Sequence, residues 1–429
     1  MVRKVFFWCH LAAGVTAGVI ILIMSATGAA LTYERQINEW TTSHLGSMPP
    51  SHDAKPLPVE ALLAEVSRSH PGLDITGVTL NSRRGAAVTV LAEPAPIFVD
   101  AYTGIELGER RGANIRAFLA SMRAWHRWLA VEGEQRSLAR VVTGWSNLLF
   151  LFIVASGMYL WIPRVLKWSQ IRLVLLFRRQ YGTGKARDFN WHNVIGIWSA
   201  IPLFVIVLGA VPISFPWGND LVYRLVGEQP PARPQGRPTL AQGQRQGGEG
   251  ARAEGGPRAG GAGDQRGARN DGMRSALVLD GLNTGFSRAM SEQPDWRTIS
   301  VRFPRRAENP LLLTIDRGDG GQPQLRSTLT LTRGGEVTAR EAFGDQTTGR
   351  QLRSVLRFAH TGEVLGIVGQ TVAGLACAGA TLMVWTGLAL SLRRLRSWQT
   401  RRSPLPIPID AGAANPTMSV RRPHQSLEV

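Results

Sequence analysis

Residues 6–33 read FFWCHLAAGVTAGVIILIMSATGAALTY. Roughly 20 helical residues cross the hydrocarbon core of a bilayer, and this run exceeds that length without a charged side chain. One residue interrupts its apolar character: His10, an imidazole in the first turn. A single histidine near a helix end can rest at the polar interface, so His10 acquires meaning only from the rest of the chain.

Working outward from 5–32, three more uncharged apolar runs follow, at 141–163, 193–216 and 364–392, the third entering its helix from 191. Each is long enough to span. Arg3, Lys4 and the small residues near Ala29 would also suit a signal peptide. The apolar run is longer than an ordinary h-region and three spans follow it, so an uncleaved anchor is expected.

The net charge of +18 raises the question of nucleic acid, and its distribution answers it. The 164–190 connection carries Arg164, Lys167, Arg172, Arg178, Arg179, Lys185 and Arg187 with almost no acid, and the 393–429 tail adds Arg393, Arg394, Arg396, Arg401 and Arg402. Short basic connections lie on the cytoplasmic side, which places both termini inside and argues for membrane lipid, not nucleic acid, as the partner of this charge. The only cysteines, Cys9 and Cys377, fall in spans, so no disulfide supports the outside segments and no CxxC or CxxCH motif is present.

Two segments then face the other compartment. In 33–113 an amphipathic stretch, LPVEALLAEVSRSHPG (57–72), precedes short β-patterned runs at 75–81, 86–92 and 96–104. A basic amphipathic stretch at 114–130 is expected to lie along the membrane surface. From 228 to 272 the chain is Gly, Arg, Pro, Gln and Ala with almost no large apolar residue, the composition of a flexible linker of unassigned role. In 273–350 a helix near 282–293 again precedes strands, near 297–303, 310–316 and 327–333, with 336–343 after Gly334-Gly335. The expected fold class is an α-helical membrane protein with four transmembrane helices plus two small α+β extracytoplasmic modules of one plan.

Four of the eight histidines stand at or just before a span: His10, His126, His192 and His360. His10 and His192 share H-x3-G, with Gly14 and Gly196, and each follows a tryptophan closely (Trp8, Trp191). The 18 residues from His10 to Gly28 and the 17 from His192 to Gly209 cover roughly 26 Å of helix, so both histidines sit at the cytoplasmic end of an outward-running span. His126 and His360 share R-x-x-H, in RAWH (123–126) and RFAH (357–360), and precede inward-running spans at the outer face. Topology thus sorts the four into one pair per face. Two imidazoles from neighbouring helices are what a six-coordinate b-type haem requires. Small residues (Gly14, Gly18, Gly196, Gly362, Gly366) would admit a flat macrocycle, and Arg123 and Arg357, one turn from their histidines, could pair with propionates. Other readings fit the same residues: interfacial imidazoles, a zinc site and proton relays. Arg123 and Arg357 could equally face lipid phosphate. The tryptophans beside the spans suit an aromatic belt.

The series HLAAG…SATG (10–28), HRWL…SGMYLWIPR (126–164), WHNVIGIW (191–198) and HTGEVLGIVGQ…WTGLAL (360–390) resembles the PepSY-associated transmembrane family, which includes bacterial inner-membrane ferric-siderophore reductases. The resemblance covers all but the linker and the tail. It implies PepSY-like outside modules and two bis-histidine haem b groups, on His10 with His192 and on His126 with His360. It further implies a conduit that passes electrons outward through the bacterial inner membrane to a ferric siderophore or other ferric chelate. No nucleotide-binding motif stands in the chain, so the electron donor would be a cytoplasmic reductant, a flavoprotein or quinol. No catalytic residue beyond the ligands is assigned. The alternative from another class is a non-enzymatic PepSY membrane protein that binds a periplasmic ligand or protease.

Overall fold

The computed structural model describes residues 1–43, 45–47, 49–51, 53–93, 95–108, 112–162, 167–232, 279–303 and 309–402. Most of the glycine-rich linker, from residue 233, lies outside the described residues, as does the tail from residue 403.

Among the described residues four helices are long and apolar enough to cross a membrane: α1 (Val2–Ala30), α5 (Arg136–Trp161), α7 (Gly184–Ser214) and α11 (Gly366–Arg402). Their apolar runs exclude water, so the backbone polar groups must bond within each segment, and a helix does this completely. Each packs against two others: α1 and α7 both contact α5 and α11. Large apolar side chains such as Val19, Phe152, Ile201 and Leu375 point outward, as a lipid solvent permits. Small and polar ones (Ser25, Thr27, Ser146, Ser156, Ser199, Thr386) are buried between the helices, where they allow close approach. Asn147 reaches across the bundle to donate to the Val207 carbonyl at 3.1 Å.

Helix α7 starts two turns earlier than the apolar run suggests. Thr183 caps it by accepting from the Ala186 N–H at 3.1 Å, and the helix-compatible residues Lys185 to Asp188 carry it into the membrane. The basic 164–190 connection therefore holds helix, including the short α6 (Trp168–Leu175) that the sequence reading does not anticipate. At the opposite end of the bundle four shorter helices flank the spans: α2 (Glu34–Ser43), α4 (Ala113–Trp128), α8 (Pro216–Leu225) and α10 (Thr348–His360). The stretch read as a surface helix at 114–130 is α4, which packs on α1, α2 and α5.

Beyond that end lies one continuous antiparallel sheet in the order β3-β2-β1-β4-β5-β6-β7. Its strands are β1 (Asp74–Asn81), β2 (Val88–Glu93), β3 (Ile97–Val99), β4 (Thr298–Arg302), β5 (Leu311–Asp316), β6 (Arg326–Leu331) and β7 (Val337–Ala342). Helices α3 (Val59–Ser69) and α9 (Leu282–Glu292) supply Leu62, Leu63, Val66, Leu282 and Phe286 to its single core. The segments 33–113 and 273–350 are thus fused through β1 and β4, with Val78 opposite Val301 and both fully buried. Gly77 permits the seam: a Cβ there would lie 2.3 Å from the Val301 carbonyl oxygen. At the helix starts, the Glu60 N–H donates to Asn283 Oδ1 at 3.2 Å, and the Asn283 N–H donates to Glu60 Oε1 at 3.0 Å. Both residues are the second of their helix and stand 223 apart in sequence, the separation that also relates Val78 to Val301. Like residues meeting like residues is the pattern of a two-fold interface, here built within one chain.

Candidate functional site

The structure brings the four span-associated histidines together in two pairs at opposite ends of the bundle. His10 and His192 are each the ninth residue of their helices, α1 and α7, toward the end that bears the N-terminus, and the two lie within electrostatic reach of one another. His126 on α4 and His360 on α10 form the pair at the sheet end, with ring centroids 6.1 Å apart and planes inclined by 47°.

Each ring is docked on a helix other than its own. His126 Nδ1 lies 2.9 Å from the Met24 carbonyl and 3.1 Å from Thr27 Oγ1 on α1. His192 Nδ1 lies 3.1 Å from both the Met383 carbonyl and Thr386 Oγ1 on α11. His10 Nδ1 lies 2.9 Å from Ser156 Oγ on α5 and also bonds the Ile153 carbonyl. His360 Nδ1 lies 2.8 Å from the Ile206 carbonyl on α7. A carbonyl can only accept, so in every case Nδ1 carries the proton and Nε2 keeps a bare lone pair. This is the tautomer that ligates a metal through Nε2, with its other nitrogen tied to a carbonyl.

Glycines make the docking possible. A Cβ at Gly28 would sit 3.4 Å from His126 Cε1, one at Gly157 3.3 Å from His10 Cε1, and one at Gly387 3.3 Å from His192 Cε1. Gly209 is tighter: its Cβ would lie 2.5 Å from the Leu356 carbonyl oxygen and 3.3 Å from His360 Cβ. Gly28 and Gly209 were visible in the sequence only as marks of span ends, and Gly157 and Gly387 only within the quoted motif series. The helix that each would serve is set by packing, which spacing along one chain does not reveal.

The donor set fits a haem better than a bare ion. An imidazole nitrogen bonds a first-row metal at about 2 Å and its ring centroid lies about 1.1 Å behind it, so two axial rings on one iron have centroids about 6.2 Å apart. The 6.1 Å of His126 and His360 meets that requirement. Among the described residues no group of three or more His, Cys, Asp or Glu side chains is placed to hold a metal ion by itself. Burial pushes the His126 imidazole down to about 4, reinforced by the facing His360, and lowers His360 as well, so both rings are neutral and free to ligate at neutral pH. Beside the other pair, a Cβ on Gly14 would meet nothing within 4 Å, which leaves room along the helix face one turn from His10.

The other residues singled out in the sequence have contacts within the chain. Arg123 is ion-paired with Glu34 of α2. Arg357 stacks over the Phe358 ring at 5.3 Å. Gly18 packs against Leu388 as a helix-contact residue, and Gly362 and Gly366 take positive φ (75° and 63°) in the reversal between α10 and α11. Their role is in the chain turn, where a Cβ on Gly362 would lie 2.5 Å from the Gly369 carbonyl oxygen. His70 joins neither pair, since its Nε2 meets Glu106 at 2.8 Å on the sheet unit. His44, His52 and His424 lie outside the described residues.

Buried ion pairs stand beside each level. Glu363, three residues after His360, pairs with Arg35 and accepts from the Thr361 hydroxyl at 2.8 Å. Asp188, one turn before His192, pairs with Arg187 at 3.0 Å and Arg393 at 2.7 Å.

The levels are evenly spaced. Met24 follows His10 by 14 residues and Ile206 follows His192 by 14, or about 21 Å along each helix.

No curated protein matches the chain in sequence. The family of the PepSY-associated TM region does match it, over residues 7–394, and the chain is a multi-pass helical membrane protein that belongs to that family.

Proposed function

We propose that the protein is a haem-bearing electron conduit of the bacterial inner membrane, with both termini cytoplasmic, that reduces a ferric chelate such as a ferric siderophore at the periplasmic, sheet-bearing face. The observation that carries this reading is the repeated docking: four imidazoles, in two facing pairs, each with Nδ1 tied to another helix and Nε2 left bare. His10 and His192 would hold one haem b, His126 and His360 the other. Bound between two imidazoles, a haem supplies a one-electron couple without an open coordination position. The chain's own part is to fix the ligand rings, to keep water from the bundle interior and to hold the two levels about 21 Å apart. Ferrous iron binds hard oxygen ligands more weakly than ferric iron, so reduction would release the metal from its chelate. The electrons would come from quinol, a flavoprotein or a soluble reductant on the terminus-bearing side.

Purified protein, reduced and then oxidised in the spectrometer, tests this directly. Split α bands of b-type haem at two per chain, together with reduction of a ferric chelate, are expected. Protein without haem absorbance would overturn the conduit and leave the non-enzymatic membrane-anchored binding protein as the reading.

A further inference from the structure

Three of the four docking places share one composition: a backbone carbonyl, a hydroxyl three residues on, and a glycine after it. They are Met24, Thr27 and Gly28; Ile153, Ser156 and Gly157; and Met383, Thr386 and Gly387. We propose that Thr27, Ser156 and Thr386 are positioning residues that give the Nδ1–H of the imidazoles docked on them a second acceptor beside the carbonyl, and so raise the donor strength of those rings. The inference rests on the haem reading above and deepens it.

The argument is an account of protons. Thr27 Oγ1 donates to the Ile23 carbonyl at 2.6 Å. Thr386 Oγ1 donates to the Leu382 carbonyl at 3.0 Å, and Ser156 Oγ to the Ile153 carbonyl at 3.2 Å. Such back-bonding to the preceding turn is the usual resting place of a hydroxyl in a helix. With its proton committed there, each oxygen can only accept, and the one group in reach with a proton to give is Nδ1–H of the docked ring. The alternative tautomer, with the proton on Nε2, would leave two acceptors aimed at a bare Nδ1 in a buried site, a costly arrangement. The carbonyl therefore sets the proton on Nδ1, and the hydroxyl oxygen accepts from the same N–H as its second partner. An accepted Nδ1 hydrogen bond also lends the ring imidazolate character, which makes it the stronger donor and favours the ferric state.

The fourth place shows why the hydroxyl is a separable device. The residue three beyond Ile206 is Gly209, and α10 runs so close that a Cβ there would lie 2.5 Å from the Leu356 carbonyl oxygen. No Ser or Thr fits, so His360 relies on the Ile206 carbonyl at 2.8 Å. The sheet-end pair thus has one hydroxyl-held ligand and the other pair has two.

The test uses the purified full-length protein and the near-isosteric changes Thr27→Val, Thr386→Val and Ser156→Ala, with Thr27→Ser and Thr386→Ser as conservative partners. Haem content and the midpoint potential of each couple are measured. Two haems per chain are expected throughout. Thr27→Val should raise one couple, and Thr386→Val and Ser156→Ala should both raise the other. The shift corresponds to about a tenfold change in the oxidised-to-reduced ratio, about 59 mV for one electron. The serine variants should keep wild-type potentials. Unmoved potentials with both haems present would overturn the proposal, as would Thr27→Val and Thr386→Val moving the same couple. A wild-type chain without haem overturns the haem reading instead.

Discussion

The two histidine pairs are built from different materials. At the terminus-bearing end, His10 and His192 belong to long continuous helices, and their rings dock on two other long helices. At the sheet end, His126 and His360 stand near the last turns of the short helices α4 and α10, which are held to the spans by side-chain contacts and by the chain reversals that follow them. One pair is fixed by the bundle alone. The other also depends on α2, on the Arg35–Glu363 pair and on the reversals, so it should be the more easily disturbed.

The strongest attempt to break this comparison replaces the ligands one at a time. His192→Ala and His360→Ala should each leave one haem of two, with different residual spectra, whereas His70→Ala should leave both. If all four single replacements at 10, 126, 192 and 360 keep two haems per chain, the pairing is wrong. Next, Gly209→Ala forces a methyl toward the Leu356 carbonyl and should cost about 3 kcal/mol, at the upper end for overpacking. Selective loss of one haem is expected, and equal loss of both would contradict the independence of the two ends. Arg35→Ala leaves Glu363 buried without its cation. Because Arg35 is 30% exposed, the cost is discounted to about 2 kcal/mol, seen as a lower thermal midpoint with the same haem lost first on heating. The smallest effect concerns the reversals. After His360 the positive φ falls on Gly362, but after His126 it falls on Leu129 and Ala130, at 53° and 56°. Ala130→Gly should relieve strain of about 1 kcal/mol and raise the melting temperature by a few degrees, while a decrease would show that the alanine methyl is needed for packing.

The spans were legible because each is a local apolar run that no soluble helix sustains, and counting crossings places His10 with His192 and His126 with His360. What stayed hidden depends on contacts far apart in sequence. β1 and β4 read as members of separate modules, since nothing in 75–81 or 297–303 announces that they pair with one another. The Ser/Thr–Gly dipeptides lay inside the quoted motif series, yet each serves a histidine on another helix. The Arg123–Glu34 ion pair was hidden in the same way, since Glu34 sits 89 positions away on a short helix that the apolar pattern does not mark. The starts of α7 and the existence of α6, α2 and α8 are settled by caps and interfacial amphipathicity, weaker signals than a run of twenty apolar residues.

Helices α1 and α7 each carry a ligand near one end and a dock near the other, 14 residues on. Each therefore works as a gauge bar whose two marks are cut in the same piece. A tilt or slide of either helix carries both marks together, so the gap between the levels survives rigid motions that would change a gap measured between separate parts. Length errors are another matter. One inserted residue would lengthen the bar by about 1.5 Å and turn one mark by about 100° relative to the other. Such an insertion anywhere between His10 and Met24, or between His192 and Ile206, would take one level out of alignment even where the membrane span itself still forms.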